Sequence, residues 1–164
     1  MLKRITENIY FIEDPYRAKP PRCHCLYVED DIRVLIDSSS GPEIVNAIGP
    51  HGVDLLLTSH FHMDHILNHN SFSGADIWVH RLDAPGVKSE RKYIELLGFM
   101  KFGQEELGEE YVRLMNIQGC PVTGEFVDGQ VLNIGKTEIE VVHLPGHSAG
   151  HCGFYFPQHD ILYS

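Results

Sequence analysis

The chain has 164 residues, of which 43% are hydrophobic and 10% aromatic, and this is ordinary for a globular protein with one buried core. Thirteen lysines and arginines against 23 aspartates and glutamates give a formal net charge of −10, which argues against a nucleic-acid surface because such surfaces are normally basic. The sequence shows neither a secretory signal pattern nor an apolar run long enough to cross a membrane. We therefore expect a cytoplasmic protein with reduced thiols.

The first third of the chain is predicted to alternate strands with one helix. Ile5 to Ile12 and Cys23 to Glu29 have strand-like patterns, and Ile32 to Ile36 is a short apolar strand that ends at Asp37. Ser39 to Ile48 is predicted to be a helix, because Pro42 stands near its first turn. Val53 to Thr58 is the next strand.

A dense group of potential metal ligands follows this strand. His60, His62, Asp64 and His65 occupy four of six consecutive positions, and histidine and aspartate are common ligands of divalent metals. His60 and His62 are two residues apart and cannot share a helix face, so they converge only if the chain turns sharply there. Met63 to His69 is predicted to begin a short helix. The spacing therefore predicts a metal site on a strand-to-helix loop, where sites of layered α/β proteins collect.

The rest of the chain is predicted to be helical and then to form hairpins. Ile77 to His80 is a strand, and Ser89 to Asn116 is helical in two pieces separated near Gly98 to Gly103. The helical stretch is interpreted as a cover for a sheet, a lid over the metal or an oligomer contact, and the pattern leaves all three open. The later strands are Val131 to Ile134, Thr137 to His143, Cys152 to Phe156 and Ile161 to Ser164. This order of elements predicts a layered α/β fold.

Three segments resemble motifs of the metallo-β-lactamase-fold hydrolases. His60 to His65 resembles the H-x-H-x-D-H signature, Val34 to Gly41 resembles the strand and aspartate that precede it, and Leu144 to His151 resembles the later P-G-H-[ST] loop. The three matches occur in the order of the family. The resemblance implies an α/β protein with a four-layer αββα sandwich, of which residues 1–164 form one metallo-β-lactamase-like domain that is largely the N-terminal half.

The resemblance also implies which residues bind metal. His60, His62 and His147 would hold a first ion, and Asp64 and His65 would belong to a second site. The family further has a bridging aspartate and a last histidine ligand, which are expected beyond Ser164, so the domain is expected to be incomplete at its C-terminus.

Two more residues are predicted to support the ligands without binding metal. Asp37 resembles the structural aspartate of the family, which fixes the metal loop. His143 lies at a strand end four residues before His147 and is a candidate support for the ligand loop. His69 lies four residues after His65, and solvent exposure is expected for it. Cys23 and Cys25 share a strand face, which favours buried thiols over metal ligands.

The implied activity is hydrolysis by a metal-bound hydroxide of a thioester, ester or lactam-type bond in a small-molecule substrate, as in glyoxalase II-like enzymes. Asp64 would be catalytic by orienting this nucleophile. One or two Zn²⁺ ions are expected, with Fe²⁺ or Mn²⁺ as alternatives. Three other functions stay open: a mononuclear-iron persulfide dioxygenase, a phosphodiesterase, and a non-catalytic metal-binding fragment. Association into a homo-oligomer is also left open.

Overall fold

The computed structural model describes residues 2–164 except for seven residues between positions 42 and 51, which are Pro42, Glu43, Val45, Ala47, Gly49, Pro50 and His51. The helix predicted from Ser39 to Ile48 therefore lies partly outside the described residues. Within that range, Ile44, Asn46 and Ile48 are helical.

Seven strands form a mixed sheet in the order of the sequence. The first four are antiparallel neighbours, and the fourth to the seventh are parallel. They are β1 (Leu2–Arg4), β2 (Ile9–Ile12), β3 (Cys25–Val28), β4 (Val34–Ile36), β5 (Leu55–Thr58), β6 (Asp76–His80) and β7 (Gly124–Phe126). The carboxyl ends of β4, β5 and β6 therefore lie at one edge of the sheet.

A second, antiparallel sheet follows in the order β11-β10-β9-β8. Its strands are β8 (Val131–Asn133), β9 (Glu138–His143), β10 (Cys152–Phe156) and β11 (Ile161–Tyr163). The described helices are α1 (Met63–Ile66), α2 (Ala84–Lys88), α3 (Glu90–Leu96) and α4 (Glu105–Leu114), with short 3-10 helices at His69–Phe72 and Met100–Phe102. Within the described part of the chain, every helix is too short or too polar to span a bilayer.

Two apolar clusters separate three layers. The central strands are buried on both faces, so Leu55 and Leu57 point one way and Leu56 the other. Leu55 and Leu57 belong to the cluster between the sheets, which also contains Phe154 of β10. Leu56 belongs to the cluster under the helices. The described residues therefore form three layers, helices, sheet and sheet, of the predicted four-layer αββα sandwich, and the predicted α/β class is confirmed.

Most predicted elements are confirmed, and the first strand is wrong in its bounds. The chain turns at Thr6 to Asn8 instead of continuing as one strand from Ile5 to Ile12. The reason is local, because the Thr6 hydroxyl accepts hydrogen bonds from the backbone N–H groups of Asn8 (3.4 Å) and Ile9 (3.1 Å). The patterns also failed to predict α2 and β7, which have only five and three residues.

A half-buried carboxylate joins the two sheets. Asp30, which follows β3, accepts hydrogen bonds from the backbone N–H of Lys136 (3.1 Å) and from the N–H (2.9 Å) and hydroxyl (2.6 Å) of Thr137. Lys136 and Thr137 lie in the turn between β8 and β9. Burial would raise the pKa of Asp30, but the hydroxyl of Thr137 and the backbone donors hold it below its usual value.

We expect Asp30→Asn to lower the free energy of unfolding by about 1–3 kcal/mol at pH 7, because an amide NH₂ would face the donors of Thr137. Chemical denaturation with EDTA present measures this change. A group whose folded pKa is depressed stabilises the fold above its unfolded pKa of about 4. The difference from the unmodified protein should therefore shrink as the pH falls below about 4. Asp31→Asn, an exposed neighbour with the same charge change, is the control. Equal losses of unfolding free energy in Asp30→Asn and Asp31→Asn would contradict the role of Asp30 in joining the two sheets.

Candidate metal centre

The signature segment begins where β5 ends, beside the carboxyl end of β4. Asp37 follows β4 in a left-handed conformation (φ +60°), and its backbone N–H donates to the carbonyl of Leu57 (2.9 Å). Ser59 follows β5, and its carbonyl accepts a hydrogen bond from the N–H of Cys152 in β10 (2.9 Å). The parallel pairing of β4 and β5 therefore places Asp37 under the ligand loop, and the second sheet holds that loop from the other side.

Asp37 is completely buried and accepts hydrogen bonds from three separate segments of the chain. The donors are the backbone N–H of Ser59 (2.8 Å), the hydroxyl of Ser59 (2.8 Å), Nδ1 of His65 (2.8 Å) and the hydroxyl of Tyr163 in β11 (3.3 Å). Burial would raise the pKa of this carboxyl, but the His65 charge and these donors hold it below its usual value. The structure thus places Asp37 under the ligands, at the position the sequence predicted for a supporting carboxylate.

Three imidazoles converge above this carboxylate. One ring nitrogen from each of His60, His62 and His147 lies within 4.8 Å of the others, and Nδ1 of His62 is 2.9 Å from Nε2 of His147. His60 is 3% exposed, and its Nε2 is a buried atom without a hydrogen-bond partner. Burial and the neighbouring His65 lower the pKa of His60 to about 2, so its ring stays neutral. Three converging imidazoles with one orphaned buried nitrogen fit a bound divalent ion.

A second group shares His60 with the first. His60, Asp64 and His65 also offer ligand atoms within 4.8 Å of one another. Burial opposes the charged form of His65, but Asp37 raises the pKa of this imidazole above its usual value. Because Nδ1 of His65 faces Asp37, its Nε2 is left on the side of Asp64, 3.7 Å from Oδ2. The structure therefore brings together all five residues that the sequence predicted as metal ligands.

Asp83, which the sequence analysis missed, joins the two ligand loops. Its side chain is completely buried between β6 and α2. One carboxylate oxygen accepts from the N–H of Phe61 (3.2 Å) and the hydroxyl of Ser148, and the other accepts from the N–H of Gly150 (2.7 Å). Phe61 lies between two predicted ligands, and Ser148 follows His147. Asp83 therefore fixes the distance between the loops that carry the imidazoles.

Two other histidines, His143 and His69, have structural contacts. His143 lies between the stacked ring of His80 (4.4 Å) and the carbonyl of Ala149, 2.9 Å from its Nε2. It contacts the later ligand loop and does not belong to either ligand group. The expected exposure of His69 is wrong, because its ring is buried between the hydroxyls of Ser38 (2.8 Å) and Thr58 (2.7 Å).

Cys23 also has ligand geometry, since its sulfur lies within 4.8 Å of ligand atoms of Asp37 and His65. The Cys25 thiol, 3.7 Å away, and burial together hold the pKa of Cys23 far above its usual range. All the hydrogen bonds of Asp37 described above would compete with an ion at that place. We therefore assign Cys23 a packing role next to the ligand residues and not the role of a metal ligand.

Comparison with known proteins gives a consistent picture. The sequence profile of the metallo-beta-lactamase superfamily matches residues 18–164. The hydroxyacylglutathione hydrolase of Chelativorans sp. (strain BNC1) is 28% identical over 138 residues, covering 83% of this chain and 43% of that protein. Hydroxyacylglutathione hydrolase GloC of Haemophilus influenzae is 25% identical over 153 residues, covering 85% of this chain and 63% of that protein. This chain therefore spans roughly half the length of these relatives.

Solved structures share the fold at low identity. The class B3 di-zinc metallo-beta-lactamase LRA-12 from an Alaskan soil metagenome superimposes with a TM-score of 0.71 at 20% identity, over 94% of this chain and 56% of that one. The metallo-beta-lactamase family protein TTHA1429 from Thermus thermophilus gives a TM-score of 0.70 at 18% identity, over 96% of this chain and 58% of that one.

Replacing His147 by alanine should lower the affinity for Zn²⁺ at least about tenfold, because a three-imidazole site would lose one ligand. Competition titration with a chromogenic chelator measures the affinity. His159→Ala, in the turn between β10 and β11, is the control and should bind zinc as tightly as the unmodified protein. Unchanged binding after loss of His147 would exclude it from the site.

Asp83→Asn should weaken Zn²⁺ binding about 10–100-fold, since support groups behind metal ligands have effects of this size. The amide keeps one acceptor and places a donor against the N–H of Gly150 or of Phe61. Asp76→Asn, on an exposed aspartate at the start of β6, is the control. Comparing zinc affinity with the stability of the EDTA-treated protein separates positioning from folding. A loss of stability with normal zinc affinity would contradict the positioning role.

Proposed function

Since this chain belongs to the metallo-beta-lactamase superfamily, we propose that it carries the metal centre of a metal-dependent hydrolase that cleaves a thioester. The observation that supports this most directly is the convergence of His60, His62 and His147, with Nε2 of His60 buried and unpartnered. Three imidazoles leave one tetrahedral position open, which is the arrangement of catalytic rather than structural zinc sites.

A bound zinc ion supplies Lewis-acid activation of water and of the scissile carbonyl. His60, His62 and His147 would hold the ion as neutral ligands. His65 would contribute Nε2, because Asp37 occupies its Nδ1. The orientation of these rings is fixed by two buried carboxylates. Asp37 hydrogen-bonds to the backbone of Ser59, and Asp83 hydrogen-bonds to the backbone of Phe61 and Gly150.

We assign to Asp64 the role of orienting the water molecule that attacks the thioester carbonyl. Asp64 is half-buried, lies in the first turn of α1 and stands 3.7 Å from Nε2 of His65. Its carboxylate accepts a hydrogen bond from the water and orients it towards the carbonyl carbon. The nearby hydroxyl of Ser59 is buried and donates to Asp37, so it is not placed to attack a substrate.

Thioesters are favoured over other bonds by two observations. The curated relatives named above are hydroxyacylglutathione hydrolases, whereas the likeness to lactamases rests on structures at 18–20% identity. The net charge of −10 is unfavourable for a polyanionic phosphodiester substrate. We propose zinc as the resident metal because the first ligand group consists of imidazoles, and one or two ions would fit the two groups.

With Zn²⁺ added, the protein should hydrolyse a glutathione thioester, and Asp64→Asn should lower kcat at least about 100-fold. Release of the free thiol measures the rate, and elemental mass spectrometry measures the metal content. The variant should keep the zinc ion of His60, His62 and His147. Asp76→Asn is the control for the loss of one carboxylate. Near-normal turnover by Asp64→Asn would refute the proposed role of Asp64. If the purified protein contains iron and oxidises a persulfide, the proposed hydrolase function is wrong and the dioxygenase alternative is correct.

A further inference from the structure

A pocket of about 330 Å³ opens directly beside the candidate metal ligands. The ligand side of this pocket is formed by His62, Asp64 and His147. The opposite wall comes from three separate parts of the chain, and its side chains are mostly carbon: Pro20, Met63, Tyr93, Leu97 and Tyr111. We call this feature the acyl pocket.

The aromatic walls of the acyl pocket are fixed by packing. Tyr93 is 1% exposed, and its ring meets the edge of Phe61 with centroids 5.4 Å apart. Tyr111 packs beside Phe99, with centroids 6.0 Å apart. The hydroxyl of Tyr111 donates to the sulfur of Met63 at 3.2 Å. The hydroxyls of Tyr93 and Tyr111 also hydrogen-bond to each other, so the polar groups of this wall are satisfied within it and the wall presents mainly carbon to a ligand.

The charges around the acyl pocket also restrict what it can bind. Among the described residues that line it, Asp64 is the one aspartate or glutamate, and none is a lysine or arginine. A carboxylate or phosphate group would find no counter-charge there apart from a bound metal ion. The apolar wall therefore suits a hydrocarbon group, which gains free energy by leaving water.

We propose that the acyl pocket binds an apolar acyl group of the thioester, so that the preferred substrates carry an alkyl or aryl chain rather than a short hydroxyacyl group. This inference rests on the proposed function. With a metal ion held by His60, His62 and His147, the carbonyl of a substrate would lie near these ligands, and its acyl chain would extend along Leu97 and Tyr111. Met63 connects the two regions, because it lies between His62 and Asp64 in sequence and lines the wall.

The test compares acyl groups on one leaving group. The zinc-loaded chain is assayed with acetyl-, butyryl-, hexanoyl- and lactoyl-glutathione. We expect kcat/KM to rise about twofold to fourfold for each added methylene, and lactoyl to be the poorest substrate relative to its size. Equal rates along the series, or a preference for lactoyl over hexanoyl, would overturn the inference while leaving the proposed hydrolase intact.

A binding measurement keeps the inference testable without turnover. Calorimetric titration with acetate, butyrate and hexanoate, the product carboxylates, should show the same rise in affinity with chain length. If none of the thioesters is hydrolysed, the proposed function is wrong, and these titrations still show whether the acyl pocket binds alkyl chains. Leu97→Asn should reduce the chain-length dependence to less than half, whereas Leu114→Asn, a 67% exposed leucine on α4, should keep it. Retention of the full dependence in Leu97→Asn would place the chain elsewhere and overturn the assignment.

Discussion

The buried carboxylate of Asp37 is the constraint on which the site depends. A charge in a dry interior is tolerated only when its hydrogen bonds are satisfied, and here the donors come from the ligand loop, from α1 and from the last strand. Each donor segment is thereby required to be in place. The same bonds that make the charge tolerable also fix the tautomer of His65 and the path of the chain before His60. The hydrogen bonds that stabilise the buried charge of Asp37 in the folded protein are therefore the same bonds that orient the ligand loop.

Asp83 meets the corresponding need on the other side of the site. The ligand loops are far apart in sequence, yet Nδ1 of His62 lies 2.9 Å from Nε2 of His147. Asp83 connects the two loops through backbone N–H groups of both and through the hydroxyl of Ser148, so the imidazoles themselves stay free for ligation. Close backbone approach is part of this arrangement, since a Cβ at Gly150 would stand 2.7 Å from the Asp83 carboxylate.

The predictable parts of this protein are those specified by neighbouring residues. The ligand cluster at His60 to His65 and the hairpin of β8 and β9 could be predicted because a few adjacent positions carry the signal. The role of Asp83 could not, because its partners are 22, 65 and 67 residues away and the sequence contains no spacing that relates them. Its one local signal was an aspartate before an Ala-Pro helix start, whose side chain does not cap that helix. The burial of His69 was missed for the same reason, since it depends on hydroxyls of two other strand ends.

Three wall residues of the acyl pocket, Tyr93, Leu97 and Tyr111, lie in one connection, between β6 and β7. The ligand-bearing loops instead follow β5 and β9, on strands that are hydrogen-bonded into the two sheets. The hydrogen bonds of Asp37 and Asp83 that hold those loops involve no residue between Ser89 and Asn116, so substitutions there can change the pocket wall while these bonds stay in place. Such a division allows descendants of one metal centre to acquire different substrate ranges through changes in a single stretch of chain. For protein engineers, it makes residues 89–116 the natural segment to randomise.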